Sequence, residues 1–202
     1  AGQGMNIAEN LYMQGFISYP RTDNTVYPSV LDLNEILSEL GKAGEFHGAV
    51  QRILSRGPLN PSRGKTESKD HPPIHPVAVP ERSRIGEREW KVFELVARRF
   101  LATLEEDAET LNVSVELFIK GQPFIATGQT IVKPGWKAVY PYSILKEVTL
   151  PKMEKGDLVQ VNKTELLGKE TLPPARYSQS ALLKLMEENN LGTKSTRHTI
   201  LQ

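Results

Sequence analysis

The stretch "MNIAENLYMQGFISYPRTD", residues 5–23, changes within a few positions from a helical pattern to an extended one. Apolar residues recur at helical spacing up to Gly15, a residue type that commonly ends helices. The run "FIS" then predicts a short buried strand, and Pro20 restricts the preceding Tyr19 to extended geometry. Tyr19 is therefore predicted at a strand end or turn, where a nucleophile can be held rigidly. An ordinary strand tyrosine is the alternative on this pattern alone.

Composition excludes several classes of protein. The chain has 202 residues, of which 39% are hydrophobic and 24% charged, as in a globular protein. It has no cysteine, which excludes disulfides, thiol catalysis and cysteine-based zinc sites. No apolar run approaches the roughly 18 residues of a membrane span. We therefore expect no membrane partner and a cytoplasmic location.

Charge is distributed unevenly along the chain. The formal net charge is only +1, but residues 51–100 carry an excess of lysine and arginine over acidic residues. A local excess of this kind suits a surface that faces a polyanion. An ordinary solvated face with a flexible basic loop explains the same charges.

The hydrophobic pattern predicts an α+β fold in three parts. Residues 1–107 are predicted as a helical domain that carries Tyr19, with helices from Ser29 to Gly41 and over 46–57 and 86–108, and a proline-rich loop over 57–86. Residues 108–170 are predicted as an antiparallel sheet domain, an arch, with strands over 111–119, 124–132, 136–142 and 157–167. Residues 171–202 are predicted as the helical beginning of a further, truncated domain, with Ser178 as a helix N-cap.

Three stretches together resemble one known family. They are "FISYPRTD" (16–23), "KDHPPIHP" (69–76) and "PPARYSQSALLKLMEENNLGTKSTR" (173–197). In this order the chain resembles a type IA DNA topoisomerase, most closely the archaeal topoisomerase I and III enzymes. The first stretch resembles the catalytic-tyrosine motif of that family, the second its histidine motif, and the third the segment that returns the chain to the DNA-binding domain. The resemblance covers essentially the whole chain.

Two departures from the family pattern limit what the resemblance implies. Pro72, Pro73 and His75 stand where the family commonly has Glu-Ala and an arginine, so only His71 carries over from the second motif. The acidic, magnesium-binding domain that precedes these motifs in the family has no counterpart here. The resemblance thus implies the central piece of a longer enzyme, whose Mg²⁺ ligands lie outside this chain and which binds no metal through these residues.

The chemistry of the motif residues agrees with the resemblance. A phenol must lose its proton as it attacks, and a nearby cation favours the phenolate and neutralises charge on a reacting phosphate. Arg21 lies two residues after Tyr19, so an extended segment projects both side chains to the same side. His71 supplies a second hydrogen-bond donor. Because both motifs need the same phosphate, we expect His71 to lie close to Tyr19 despite their distance in the sequence. For Asp23 two roles remain open, which are orienting a neighbour and capping the following turn.

The resemblance further implies that Tyr19 forms a transient 5′-phosphotyrosine link with single-stranded DNA, which allows strand passage and religation without ATP. The implied DNA-binding residues are Arg176, Ser178, Lys194, Ser195, Thr196 and Arg197, although helix capping explains the serines and the threonine nearly as well. The other partners implied are the remaining domains of the parent enzyme. This segment alone is expected to cleave little or no DNA. Two alternatives stay open: a nucleic-acid-binding arch with a structural tyrosine, and a peptide-binding module built on loop 57–86.

Overall fold

The computed structural model describes residues 2–201, except for the side chains of Lys194, Ser195 and His198. The described helices are α1 (Gly2–Met13), α2 (Leu33–Gly41), α3 (Gly44–Leu54), α4 (Glu87–Leu104), α5 (Gln179–Glu188) and α6 (Lys194–Ile200). Two strands, β1 (Glu109–Ile119) and β2 (Gln122–Lys133), form an antiparallel sheet. The chain therefore combines helices with a two-stranded antiparallel sheet.

The hydrophobic core is formed by residues of α1, α2, α3 and α4. Helix α4 is amphipathic, because its apolar residues recur three and four positions apart and so share one face. Phe93 of α4 is fully buried and its ring lies 5.7 Å from Trp90 and 6.4 Å from Phe46 of α3, measured between ring centroids. The other fully buried large side chains include Leu11, Leu37, Leu40 and Phe100. This core supports the extended segment that follows α1.

Helix α2 begins later than its sequence pattern predicts. The predicted start at Ser29 is wrong, because Asp32 is the N-cap: its carboxylate accepts hydrogen bonds from the main-chain N–H groups of Asn34 (2.9 Å) and Glu35 (3.2 Å). A carboxylate in that position satisfies donors that the first turn leaves free. The cap predicted for α5 is confirmed, since the Ser178 hydroxyl accepts from the Ala181 N–H at 3.2 Å.

Strands β1 and β2 form a hairpin, as predicted for residues 111–119 and 124–132. Leu117 pairs with Phe124 and Ile119 with Gln122, so Lys120 and Gly121 form the two-residue turn. Both turn residues have positive φ angles, 50° and 80°, which is the geometry that matches the twist of a hairpin. The edge of β2 is extended by one bridge, from Gln129 to Val148.

The two further strands predicted for this region are wrong within the described residues. The segment 136–142 begins in a short 3-10 turn, Gly135–Ala138, and the Trp136 ring packs 6.2 Å from that of Tyr140. The segment 157–167 forms no described strand, and its Leu158 and Leu166 are 99% and 100% exposed. An alternating pattern gives a strand a preferred face, but a strand also needs a paired neighbour, and the described residues offer none here. Among residues 2–201, no helix has the length and apolar character that crossing a membrane requires.

Candidate active site

The segment after α1 is held along the loop that carries the second motif. Instead of a regular strand, Ile17 forms an isolated antiparallel bridge with Pro76. The N–H of Ser18 donates to the His75 carbonyl (2.9 Å), and the N–H of His75 donates back to the Ser18 hydroxyl (2.9 Å). These bonds fix the main chain immediately before Tyr19.

A second set of bonds joins the same two segments further along. The N–H of Thr25 donates to the Thr66 carbonyl (2.8 Å), and the N–H of Thr66 donates to the Thr25 hydroxyl (2.9 Å). The N–H of Gly64 donates to the Thr25 carbonyl at 3.0 Å. Residues 16–25 and 64–77 are therefore connected on both sides of the position that Tyr19 and His71 share.

Tyr19 and His71 lie in contact although they are far apart in sequence. Their ring centroids are 4.5 Å apart with an angle of 43° between the ring planes. The ring of Tyr12, in α1, meets the Tyr19 ring edge-on at a centroid distance of 5.3 Å. The predicted proximity of Tyr19 and His71 is confirmed. Tyr19 is half-buried and His71 is exposed, so one side of the pair faces solvent.

Arg21 is close to this pair but is held by an acidic residue. Its Nε donates to the Glu9 carboxylate of α1 in an ion pair. The hydrogen bond to Glu9 is the main cause that raises the pKa of the Arg21 guanidinium. Desolvation opposes this rise, and the charges of Glu9 and Tyr19 add smaller effects that raise the pKa. The Nε bond uses one of the five N–H donors that a guanidinium has. Sequence reasoning missed Glu9, which has no motif of its own.

Asn24 is a further residue that sequence reasoning missed. It is one of the few buried polar side chains among the described residues, with 7% of its surface exposed. Its amide group donates to the main-chain carbonyls of Ser68 (2.8 Å) and His71 (3.0 Å), and its oxygen accepts from the Val26 N–H (2.9 Å). Asparagine is common in turns, and this signal alone points to no distant partner.

Comparisons with known proteins show the family to which this chain belongs. A family model described as "DNA topoisomerase" matches residues 1–202. The chain is 50% identical over 200 residues to DNA topoisomerase 1 of Archaeoglobus fulgidus, covering 99% of this chain and 30% of that protein. The chain belongs to the type IA DNA topoisomerase family. It is also 34% identical to DNA topoisomerase 3-beta-1 of Homo sapiens, over 95% of this chain and 22% of that protein.

A solved structure shows the same fold. The full-length topoisomerase I of Thermotoga maritima superposes with a TM-score of 0.68 at 22% identity, over 98% of this chain and 33% of that one. The fold is thus similar to that of a type IA topoisomerase. The chain spans less than a third of the length of the curated relatives named above.

His75, which departs from the family motif, lies inside the protein. It is 5% exposed, its Nδ1 is 2.7 Å from the Pro73 carbonyl oxygen, and its ring meets that of Tyr27 edge-on at 6.4 Å. Burial lowers the pKa of His75, and the bond to Pro73 only partly opposes this effect. A neutral, buried imidazole supports the loop of the topoisomerase motif and leaves His71 as the exposed histidine of that motif.

The predicted DNA-binding residues of the topoisomerase lie in and before α5 and α6. The partners of their described hydrogen bonds all lie within residues 178–201. Arg176 is exposed, and Ser178 caps α5 as described above. The Thr196 hydroxyl accepts from the N–H of Thr193 (2.8 Å), and Arg197 Nε donates to the Leu191 carbonyl (3.0 Å). The side chains of Lys194 and Ser195 lie outside the described residues. These bonds do not bring the C-terminal residues to Tyr19.

Magnesium, which the resemblance assigns to another domain, finds no ligand set in the described part of this chain. No group of three or more histidine, aspartate or glutamate side chains lies close enough there to hold a metal ion. Near Tyr19, the Glu9 carboxylate pairs with Arg21. The described residues therefore do not fit a magnesium site.

Proposed function

We propose that this chain is the part of a type IA DNA topoisomerase that carries the nucleophile, and that Tyr19 attacks a phosphodiester of single-stranded DNA. The observation that carries the proposal is the contact of the Tyr19 and His71 rings at 4.5 Å, with Arg21 two residues after Tyr19 in the chain. A nucleophile, a second polar ring and a guanidinium then meet one phosphate. In this proposal the enzyme relaxes or decatenates DNA in the cytoplasm.

The reaction exchanges one phosphodiester for another. The Tyr19 phenol gives up its proton as its oxygen attacks the phosphorus, the bond from phosphorus to the 3′ oxygen breaks, and the leaving 3′ oxygen takes up a proton. The DNA 5′ phosphate is then joined to Tyr19, and the free 3′ hydroxyl can attack this link to restore the strand. Because the bond formed and the bond broken are both phosphodiesters, the break is reversible without ATP.

Arg21 and His71 neutralise the charge that develops on the phosphate. A guanidinium binds two phosphate oxygens in a fork, which a lysine cannot do. A protonated imidazole donates from both nitrogens, and the His71 ring is exposed, so a phosphate can reach it. Glu9 holds Arg21 near Tyr19 before DNA arrives, and a phosphate then competes with that carboxylate for the remaining N–H groups.

The DNA strand is expected to contact two further parts of the chain. One is the basic region 51–100, where Arg82 lies 4.6 Å above the Trp90 ring. The other is the C-terminal segment with Arg176, Ser178, Lys194, Ser195, Thr196 and Arg197. Binding through phosphate contacts weakens steeply as salt increases. The remaining domains of the enzyme, including the one that binds Mg²⁺, complete the site in this proposal.

Covalent trapping tests the proposal. Labelled single-stranded DNA is incubated with a full-length enzyme that contains this chain, denatured, and separated on a gel that shows DNA joined to protein. Tyr19→Phe removes only the attacking oxygen, so the covalent band should disappear while DNA binding persists. Tyr12→Phe is the matched control, because it removes a phenol oxygen from the neighbouring ring at 5.3 Å, and the band should remain. A band that survives in Tyr19→Phe contradicts the proposal.

A further inference from the structure

We propose that Asn24 is a positioning residue, which holds the His71 ring against Tyr19 through the main-chain carbonyl of His71. This inference deepens the proposed function and rests on it, because His71 must act on the same phosphate as Tyr19. Asn24 itself touches no DNA in this account. It acts only on the geometry of His71.

The hydrogen bonds of Asn24 fix the orientation of its side chain. Its Nδ2 group donates to the carbonyls of Ser68 (2.8 Å) and His71 (3.0 Å), and its Oδ1 accepts from the N–H of Val26 (2.9 Å). All three partners are main-chain groups, so the amide group can have only one orientation. Leaving such donors unpaired in a buried position costs free energy, which opposes any loosening of the loop.

The His71 carbonyl is the point through which the ring can be controlled. His71 is exposed, and the residues just before it form no regular helix or strand. Pro72 follows, which restricts the main chain of His71 to extended angles. Once the carbonyl is also held, by Asn24 and by the Thr22 hydroxyl at 3.2 Å, the direction of the Cα–Cβ bond of His71 is set.

Asn24 is suited to this role because of its place in the chain. It lies five residues after Tyr19 on the segment that is fixed by Ser18 at one end and Thr25 at the other. A bond from this segment to His71 therefore sets the position of His71 relative to Tyr19 directly. The same segment supplies the nucleophile and the support for its partner.

The test uses Asn24→Asp in the full-length enzyme. This variant keeps the size of the side chain and the acceptor for Val26 but loses both donors. We expect the rate of covalent capture to fall about tenfold at unchanged affinity for single-stranded DNA, as loss of one or two hydrogen bonds to a positioned group predicts. The matched control is Thr25→Val, which removes the hydroxyl bonds to the main chain of Thr66 and no bond to His71. It keeps the main-chain bonds of residue 25 to Thr66 and Gly64, which fix this end of the segment. Its capture rate should stay within about twofold.

A double-mutant cycle separates positioning from a general effect on stability. Asn24→Ser, which adds no charge, is combined with His71→Ala. If Asn24 acts through His71, the double variant captures DNA as slowly as His71→Ala alone, because the group that Asn24 positions has gone. The inference is overturned if Asn24→Ser slows covalent capture equally with and without His71, or if neither Asn24→Ser nor Asn24→Asp slows it. It is also overturned if His71→Ala captures DNA at the full rate. Capture by Tyr19→Phe would instead overturn the proposed function.

Proton NMR of the 202-residue chain gives a readout that does not need activity. The His71 ring protons should show the ring-current shift and the cross-peaks that contact with Tyr19 causes at a centroid distance of 4.5 Å. These signals should persist in Thr25→Val and be lost in Asn24→Asp. If they persist in Asn24→Asp, the inference is wrong even where the capture rate falls.

Discussion

Gly64 should be intolerant of a side chain, because it lies against the segment that carries Tyr19. A Cβ atom at this position would be 2.3 Å from the Thr25 hydroxyl oxygen and 2.4 Å from Thr25 Cβ, far inside van der Waals contact. The Thr25 Cβ is attached directly to the main chain and cannot rotate away. Gly64→Ala must therefore push the loop off residues 24–26.

The cost of this displacement can be worked out from the bonds it breaks. Thr25 exchanges three hydrogen bonds with Thr66 and accepts a fourth from Gly64, at 2.8 to 3.0 Å. Exposed hydrogen bonds of this kind contribute about 0.5 kcal/mol each, at the low end of the usual range, so their loss makes local opening cheaper by about 2 kcal/mol. Local opening free energies control amide exchange, and about 1.4 kcal/mol corresponds to a tenfold change.

Hydrogen exchange measured on the 202-residue chain tests this prediction. In Gly64→Ala the amides of Thr25 and Thr66 should exchange roughly ten to thirty times faster, while those in α4 are unchanged. Gly48→Ala is the matched control, because no heavy atom lies within 4 Å of its added Cβ in α3 and alanine is the better helix former. Unchanged exchange at Thr25 and Thr66 in Gly64→Ala would refute the reasoning.

Three further predictions concern burial, capping and charge. Burial lowers the pKa of His75, so the unfolded chain binds a proton more readily than the folded one; His75 should therefore cost no stability above its ordinary pKa of 6.5 and destabilise the fold as the pH falls below that value. Urea unfolding between about pH 7.5 and 5 should show a falling free energy of unfolding, and His75→Asn should reduce this fall. The same dependence on pH in His75→Asn would contradict the prediction. Asp32→Ala should lower the free energy of unfolding by about 1 kcal/mol through loss of the α2 N-cap, and the α2 amides should exchange faster. The control Asp157→Ala, outside the helices, should leave the exchange of the α2 amides unchanged, and equal protection of these amides in both variants would contradict the prediction. Arg21→Lys keeps the charge but loses the paired N–H donors that bind two phosphate oxygens, so DNA capture should slow about tenfold at similar DNA affinity. A change in DNA affinity alone would show that Arg21 only attracts DNA.

The elements that the sequence predicts well are those determined by neighbours in the chain. The apolar face of α4, the hairpin of β1 and β2 and the Ser178 cap follow from spacing, turn residues and local hydrogen bonds. The failed strand prediction over 157–167 has the opposite cause. The alternation of apolar and polar residues defines one face of a predicted strand. Whether the strand forms depends on a neighbouring strand to pair with, which the alternation does not reveal.

The candidate site divides in the same way. The proximity of Tyr19 and His71 could be predicted because both residue types suit one phosphate and stand in motifs that resemble a known family. Asn24 could not be predicted, since its partners are main-chain carbonyls 44 and 47 residues away, and such groups leave no trace in the sequence. Glu9 was missed because a single acid on an amphipathic helix is ordinarily a solvated residue.

The central claim is that the Tyr19 oxygen forms the bond to DNA, and peptide mapping of the trapped complex tests it most directly. The covalent product of the full-length enzyme is treated with nuclease and then with trypsin, and the peptide ending at Arg21 is fragmented in a mass spectrometer. That peptide contains both Tyr12 and Tyr19, so fragmentation distinguishes the two phenols. We predict that the nucleotide mass is found on Tyr19. A nucleotide on Tyr12, or on a peptide that contains neither tyrosine, would contradict the account.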